Sequence, residues 1–394
     1  MNIRRLFCSA LALLAMSLAL VQQSTAQVPC SPTITPPPTL SVNWPQFRFD
    51  LKHSGCNPYE LILNAGNVGN LVPLWMSATS TNSSSSPSVL NGVLFVGSND
   101  GNVYALNARS GALIWKYTTF GTVGSSPAVA NGVVYVGSND GNVYALNAST
   151  GALIWQYTTG SIVGSSPAVA NGVVYVGSYD NNVYALNAGT GALIWKYTTG
   201  SIVGSSPAIA NGVVYAGSND GNVYALNAGT GALLWKYTAG FFVLSSPAVV
   251  NGVLYVGTYG FNTGEVYALN AGTGALLWKY STGGVVYSSP AVANGVVYVA
   301  SEDNNLYALN AATGALLWKY TAGNPVDSSP AVANGVVYVG SGDFNVYALN
   351  AGNGALLWKY TTGNYVTSSP AVANGVLYVG SNDGNIYAFH LPNQ

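Results

Sequence analysis

Short apolar runs separated by turn residues follow one another along most of the chain. One copy of this pattern reads SSPAVA (165–170), VVYVGS (173–178), VYALNA (183–188) and ALIWKY (192–197). These runs are rich in β-branched and aromatic residues, which favour strands. An Asn-Gly pair separates the first two runs and is typical of a tight hairpin turn, because both residues accept positive φ. No window shows helical periodicity. The pattern therefore predicts an all-β chain of short antiparallel strands.

This four-strand unit recurs with one tryptophan per copy. The tryptophans are 40 residues apart, except for one spacing of 43. A period of this length with short strands is typical of propeller blades. Eight Ser-Ser-Pro motifs, from Ser85 to Ser368, indicate eight blades of four antiparallel strands. The tryptophans expected to dock each blade are Trp75, Trp115, Trp155, Trp195, Trp235, Trp278, Trp318 and Trp358.

The two ends of the array are expected to meet. The last blade has no fourth strand of its own, because the chain stops at IYAFHLPNQ. One tryptophan strand, LVPLWMS (71–77), precedes the first Ser-Ser-Pro motif and belongs to no earlier blade. The sequence therefore predicts that this N-terminal strand completes blade eight, closing the ring and removing two free sheet edges.

The fourth strand of each blade carries a lysine between two aromatic residues. In LLWKY, Trp235 and Tyr237 point to one side and Lys236 to the other. We expect the aromatic side to pack and the lysine side to be exposed. The resulting ring of lysines is interpreted either as protection against edge-to-edge strand pairing or as an anion-binding belt.

The chain divides into four segments. Residues 1–26 resemble a secretory signal peptide, with a basic start, a short apolar core and a small-x-small cleavage site. The alternative for this segment is a short membrane anchor. Residues 27–43 are a proline-rich linker, 44–70 a lead-in outside the repeat, and 71–394 the propeller. Export to the periplasm or the extracellular space follows from the signal peptide.

Charge and cysteine content narrow the function classes. Only 6% of the 394 residues are charged and the formal net charge is −1, so no nucleic-acid partner is expected. We expect a monomer with no transmembrane segment in the mature chain. Cys30 and Cys56 remain after signal removal and form either a disulfide or two unrelated thiols. The only histidines are His53 and His390, and no metal-binding spacing is present.

Most acidic residues occupy one repeated hairpin, as in SNDGN. Asp-Gly at this position is typical turn chemistry. A calcium loop is the alternative, although the acidic density of such loops is missing.

The copies differ from one another mainly at two connections. These are the link from strand four to the next strand one, and the turn from strand two to strand three. Both lie on the same face of a propeller, where loops that carry function are expected. The departures form a candidate binding patch of Phe241, Phe242, Leu244, Tyr259, Phe261, Tyr287, Asp327, Phe344 and Tyr365. The alternative is drift after duplication, with the aromatic side chains filling the central channel.

The stretch YALNAGTGALLWKY resembles the tryptophan-docking repeat of PQQ-repeat, or quinoprotein alcohol dehydrogenase-like, β-propellers. The pattern of that family is Ala-x-Asp-x-x-Thr-Gly-x-x-x-Trp. Blade four supplies Ala225, Asn227, Thr230, Gly231 and Trp235, and asparagine replaces the aspartate in every full copy.

This resemblance covers residues 44–394 and implies the propeller fold. Its dehydrogenase members use PQQ with calcium, a vicinal disulfide and an aspartate base, and this chain has no adjacent cysteines. We therefore assign no catalytic, cofactor-binding or metal-binding residue and expect no cofactor. The favoured function is a secreted or cell-envelope binding or scaffold module for a protein or a glycan. The alternative is a PQQ-dependent dehydrogenase-like quinoprotein with a degenerate or atypical cofactor site.

Overall fold

A computed structural model describes residues 43–79, 81–82, 84–260 and 263–392. Eight sheets carry 33 strands, and the one helical element among these residues is a 3-10 turn, Val68–Asn70. The prediction of an all-β, eight-bladed propeller with four-stranded antiparallel blades is confirmed.

The strands follow one another along the chain in the order of their blades. They are β1 (Cys56–Asn57), β2 (Val72–Ala78), β3 (Ser88–Leu90), β4 (Val93–Gly97), β5 (Asn102–Asn107), β6 (Leu113–Thr118), β7 (Ala128–Ala130), β8 (Val133–Gly137), β9 (Asn142–Asn147), β10 (Leu153–Thr158), β11 (Ala168–Ala170), β12 (Val173–Gly177), β13 (Asn182–Asn187), β14 (Leu193–Thr198), β15 (Ala208–Ala210), β16 (Val213–Gly217), β17 (Asn222–Asn227), β18 (Leu233–Thr238), β19 (Ala248–Val250), β20 (Val253–Gly257), β21 (Gly264–Asn270), β22 (Leu276–Thr282), β23 (Ala291–Ala293), β24 (Val296–Ala300), β25 (Asn305–Asn310), β26 (Leu316–Thr321), β27 (Ala331–Ala333), β28 (Val336–Gly340), β29 (Asn345–Asn350), β30 (Leu356–Thr361), β31 (Ala371–Ala373), β32 (Val376–Gly380) and β33 (Asn385–His390).

Blades one to eight begin at β3, β7, β11, β15, β19, β23, β27 and β31. The ring closes as the sequence predicts, because β2 pairs antiparallel with β33 and becomes the outer strand of blade eight. The first strand of each blade is shorter than expected. In SSPAVA only the last three residues pair as a strand, since the two serines use their hydrogen bonds differently.

The second serine of each Ser-Ser-Pro motif joins neighbouring blades. The Ser86 N–H donates to Oγ of Ser126 in the next blade, at 2.9 Å. The same bond repeats at every seam between blades, and Ser369 donates to Ser86 to complete a closed ring. The first serine contributes as well, because Ser85 Oγ accepts from the Gly97 N–H of its own second strand and donates to the Ser125 carbonyl of the next blade. These bonds explain why the motif recurs in all eight copies.

Each tryptophan of a fourth strand docks on the following blade. Trp195 donates its indole N–H to the Ala228 carbonyl at 2.9 Å. Its ring covers Gly231, where an added Cβ would lie 2.7 Å from the indole and the backbone has a φ of +73°. A side chain there would therefore meet both a clash and backbone strain. The same N–H bond recurs for all eight tryptophans, ending with Trp358 on the Leu71 carbonyl.

The lead-in, expected as a segment before the propeller, runs along the inner strands. Strand β1 pairs in parallel with β27 of blade seven. The carbonyls of Leu51, Lys52 and Ser54 accept N–H groups from the first strands of blades four, five and six. The lead-in therefore satisfies inner strand edges that would otherwise lack partners in the channel.

Candidate functional site

The two faces of the propeller differ in how much their loops vary. One face carries the Asn-Gly turns and the turns that receive the tryptophans. The other, called the variable face here, carries the strand four to strand one links and the strand two to strand three turns. Each seam on this face therefore brings a link beside a turn of the following blade.

At the seam between blades three and four, an aspartate carboxylate joins the link to the turn. This arrangement is called the carboxylate lock here. Asp220 Oδ2 accepts the Gly200 N–H of the link at 2.7 Å and the Tyr224 hydroxyl at 2.5 Å. Asp220 Oδ1 accepts the Asn222 N–H at 3.0 Å. Partial burial alone would raise the pKa of Asp220, but these hydrogen bonds hold that pKa below its ordinary value.

The same link-to-turn bond occurs at six seams. The pairs are Phe120–Asp140, Gly160–Asp180, Gly200–Asp220, Gly283–Asp303, Gly323–Asp343 and Gly363–Asp383. At the seam from blade eight to blade one, the corresponding link residue, Ser80, lies outside the described residues. The repeated aspartates thus hold turns and seams together. Across the described ranges, no group of three or more His, Cys, Asp and Glu side chains could hold a metal ion.

Among the residues that the structure describes, the seam between blades four and five has no such lock. The turn of blade five is the longer stretch TYGFNTGE (258–265), which contains no aspartate. Its acidic residue, Glu265, accepts from the Tyr267 hydroxyl and pairs with Lys279 at 2.8 Å. An added Cβ at Gly240 of the link would meet no atom within 4 Å, whereas one at Gly200 would lie 2.7 Å from Asp220 Oδ2. Without that carboxylate, no described atom fills the space beside Gly240.

A cavity of about 230 Å³ occupies this position. Its walls include Phe241 and Phe242 of the link, Tyr259 of the blade-five turn and Asn219 of the blade-four turn. The Phe242 and Tyr259 rings stack with centroids 5.7 Å apart, and a backbone bridge joins the same two residues. Phe241 and Phe242 remain 42% and 46% exposed. Asn219 Oδ1 is buried and has no hydrogen-bond partner among the described residues.

The aromatic cluster continues toward acidic side chains. Tyr259 and Tyr287 have ring centroids 5.5 Å apart. Burial, then the charge of Glu302, raises the pKa of Tyr287. Burial raises the pKa of Asp327, whose Oδ1 has no hydrogen-bond partner in the described part of the chain. Burial together with the Asp327 charge raises the pKa of Glu302. This side of the site therefore disfavours additional negative charge.

The predicted patch is divided in the structure. Phe241, Phe242, Tyr259 and Tyr287 lie together, with Asp327 beside them. A separate pair, Phe344 and Tyr365, has centroids 5.3 Å apart. Leu244 lies against the Gly204 position together with Tyr179. Phe261 lies outside the described residues.

Two side chains of this region escaped the sequence prediction. Tyr179 stands where four of the eight turns carry asparagine, which is a signal that a comparison of the copies could have found. Asn219 has the residue type that is commonest at its position in the turns, so no sequence signal marks it. Only the loss of the neighbouring lock places it beside a cavity.

The lead-in places buried titratable side chains in the central channel. The alternative interpretation of the patch fills this channel with aromatic side chains instead. Arg48 and His53 are fully buried. Burial, partly offset by the Asp50 charge, lowers the pKa of Arg48 to about 9. Burial, with the nearby Arg48 charge, lowers the pKa of His53 to about 3. Both side chains therefore belong to the interior of the ring rather than to the variable face.

Cys56 is buried beside blade seven and is disulfide-bonded. Cys30 lies outside the described residues, so its pairing with Cys56 stays a prediction.

The fold and its repeat define the class of protein, a β-propeller built from PQQ-type repeats. A family profile described as the beta-propeller of beta-alanine-activating enzyme matches residues 73–295, and the chain belongs to this family. A second profile, of outer membrane protein assembly factor BamB, matches residues 305–392. No curated protein matches the sequence. Within the described part of the chain, no helix is long and apolar enough to span a membrane.

Solved structures share the fold at low sequence identity. BamB from Moraxella catarrhalis is 21% identical, with a TM-score of 0.70, and the match covers 81% of this chain and 99% of BamB. A europium-containing methanol dehydrogenase is 16% identical, with a TM-score of 0.76 and coverage of 90% and 99%. The computationally designed protein Ika8 is 17% identical, with a TM-score of 0.69 and coverage of 81% and 99%. Proteins this different on one fold leave function to be argued from the site.

Proposed function

We propose that the chain is an exported, non-enzymatic binding module whose variable face engages a partner protein or a glycan. The observation that carries this proposal is the unlocked seam between blades four and five. Exposed aromatic side chains line its cavity, and such side chains are common anchors of binding sites. The sequence of residues 1–26 and the match to an outer membrane assembly factor support export to the periplasm or the extracellular space.

Affinity capture from cell envelope and culture medium tests this function. One bait is the mature chain, and a second carries Phe241→Ala and Phe242→Ala. A third bait, Phe120→Ala, is the matched control, because Phe120 is 93% exposed in a link whose seam keeps its lock. The proposal expects a partner that the mature chain and the control retain and the double variant loses. Equal capture by all three baits, or capture of nothing, would contradict it.

The dehydrogenase alternative is tested on the same material. A ligand that binds the folded state raises the melting temperature by mass action. We expect PQQ with Ca²⁺ to leave the melting temperature unchanged. An increase that grows with PQQ concentration would favour a quinoprotein instead.

A further inference from the structure

We propose that the cavity at the seam between blades four and five binds one ring of a neutral saccharide. This inference rests on the proposed binding function and names the chemistry of its ligand. A single sugar ring also fits the size of the cavity. At about 230 Å³ the cavity falls below the roughly 300–1,000 Å³ of sites for drug-sized ligands. A single sugar ring can enter it, while the rest of a glycan extends over the open surface.

The aromatic walls fit the apolar side of such a ring. Phe241 and Phe242 expose large parts of their side chains, and Tyr259 stacks beside Phe242. The C–H groups on one side of a pyranose form an apolar surface that can cover an aromatic ring. Removing these surfaces from water stabilises the complex in proportion to the apolar area buried.

The polar groups of the cavity call for a ligand that both donates and accepts hydrogen bonds. In six other links the residue corresponding to Gly240 donates its N–H to an aspartate oxygen. No aspartate of the blade-five turn lies beside Gly240, so its N–H needs another hydrogen-bond acceptor. Asn219 Oδ1 is buried without a partner among the described residues, so it needs a hydrogen-bond donor. A hydroxyl group supplies both functions, and a sugar presents several hydroxyls around one ring.

The charges near the cavity favour a neutral ligand. Asp220 lines the cavity, and Glu302 and Asp327 lie near Tyr287, whose ring packs on Tyr259. These charges would repel an anionic ligand. A cationic ligand would find no uncommitted carboxylate in the cavity wall. Both Asp220 oxygens already accept hydrogen bonds from Gly200, Tyr224 and Asn222.

Titration calorimetry with neutral sugars tests the inference on the whole mature chain. The probes are methyl glycosides of glucose, galactose, mannose and N-acetylglucosamine, together with their short oligomers. Phe242→Ala and Tyr259→Ala should each weaken binding on the order of tenfold or more. Phe120→Ala, the exposed aromatic at a locked seam, should leave the Kd within about twofold. Unchanged melting temperatures would show that the variants are folded.

The outcomes separate this inference from the proposed function. Binding of a sugar that Phe242→Ala weakens and Phe120→Ala preserves supports both. If none of the sugars binds, the saccharide inference is wrong. If Phe242-dependent capture still occurs, and neither free sugars nor glycosidase treatment reduces it, the partner is a polypeptide and the binding function stands. Equal weakening by Phe120→Ala and Phe242→Ala would overturn the assigned location.

Discussion

The seam between blades three and four and the seam between blades four and five are alike on one face and different on the other. Both have a docked tryptophan and a serine bond of the closed ring. Only the first has a carboxylate lock on the variable face. The comparison indicates that stability at the seams comes mainly from the repeated contacts. One seam can therefore lose its lock and gain a cavity within an intact ring.

The largest expected effect tests the shared part of the two seams. Trp195→Ala and Trp235→Ala should each lower the free energy of unfolding by about 3–5 kcal/mol, because each removes a packed indole and its hydrogen bond. The two losses should be similar, since both indoles dock in the same way. Urea midpoints measure them. A much smaller loss for Trp235→Ala would show that the unlocked seam is weak on both faces.

The lock itself should have an intermediate effect. Asp220→Ala removes an acceptor from the Gly200 N–H and the Tyr224 hydroxyl, and should cost about 1–3 kcal/mol. Glu265→Ala removes the acidic side chain at the unlocked seam. It should lower the free energy of unfolding by less, because Glu265 pairs with the exposed Lys279. Chemical denaturation of both variants measures the difference. Equal losses would contradict a special role for the lock.

The contribution of the lock should depend on pH. The folded-state pKa of Asp220 lies below its ordinary value. The stabilisation is therefore complete above the unfolded-state pKa of about 3.9, and is lost as the pH falls through the folded-state pKa. The stability difference between wild type and Asp220→Ala should be constant above about pH 5 and shrink below about pH 4. A difference that persists at lower pH would point to packing rather than charge.

The smallest effects concern the exposed aromatic residues. Phe242→Ala and Phe120→Ala should each change the free energy of unfolding by no more than about 0.5–1 kcal/mol, because Phe242 is nearly half exposed and Phe120 is almost fully exposed. Their effects on ligand binding should nevertheless differ. A large loss of stability for Phe242→Ala would mean that its main role is packing on Tyr259.

The repeat made the fold predictable. A fixed tryptophan spacing, paired turns and a spare N-terminal strand determine the number of blades and the way the ring closes. The hydrogen-bond partners of the repeated serines were harder to predict from the sequence. Recurrence of Ser86 and its equivalents shows that the position is constrained, but only the three-dimensional arrangement shows a ring of bonds between blades.

The candidate site was predictable only in part. A comparison of the repeat copies shows that the enlarged turn and Phe242 are unusual, but it does not mark Asn219. Long-range contacts between the single-copy lead-in and the inner strands also have no local pattern to reveal them. The carbonyls of Leu51 and Lys52, for example, meet strands that are more than one hundred residues away.

Grafting a locked turn into blade five tests the central claim most directly. The variant replaces residues 258–265 with Ser-Asn-Asp-Gly-Asn, the sequence of residues 218–222, and keeps Phe241 and Phe242. The new aspartate should bond to the Gly240 N–H and fill the cavity. We predict that the variant melts at or above the wild-type temperature and no longer captures the partner. If the grafted variant folds and still captures the partner as well as the wild type does, the unlocked seam is not the binding site.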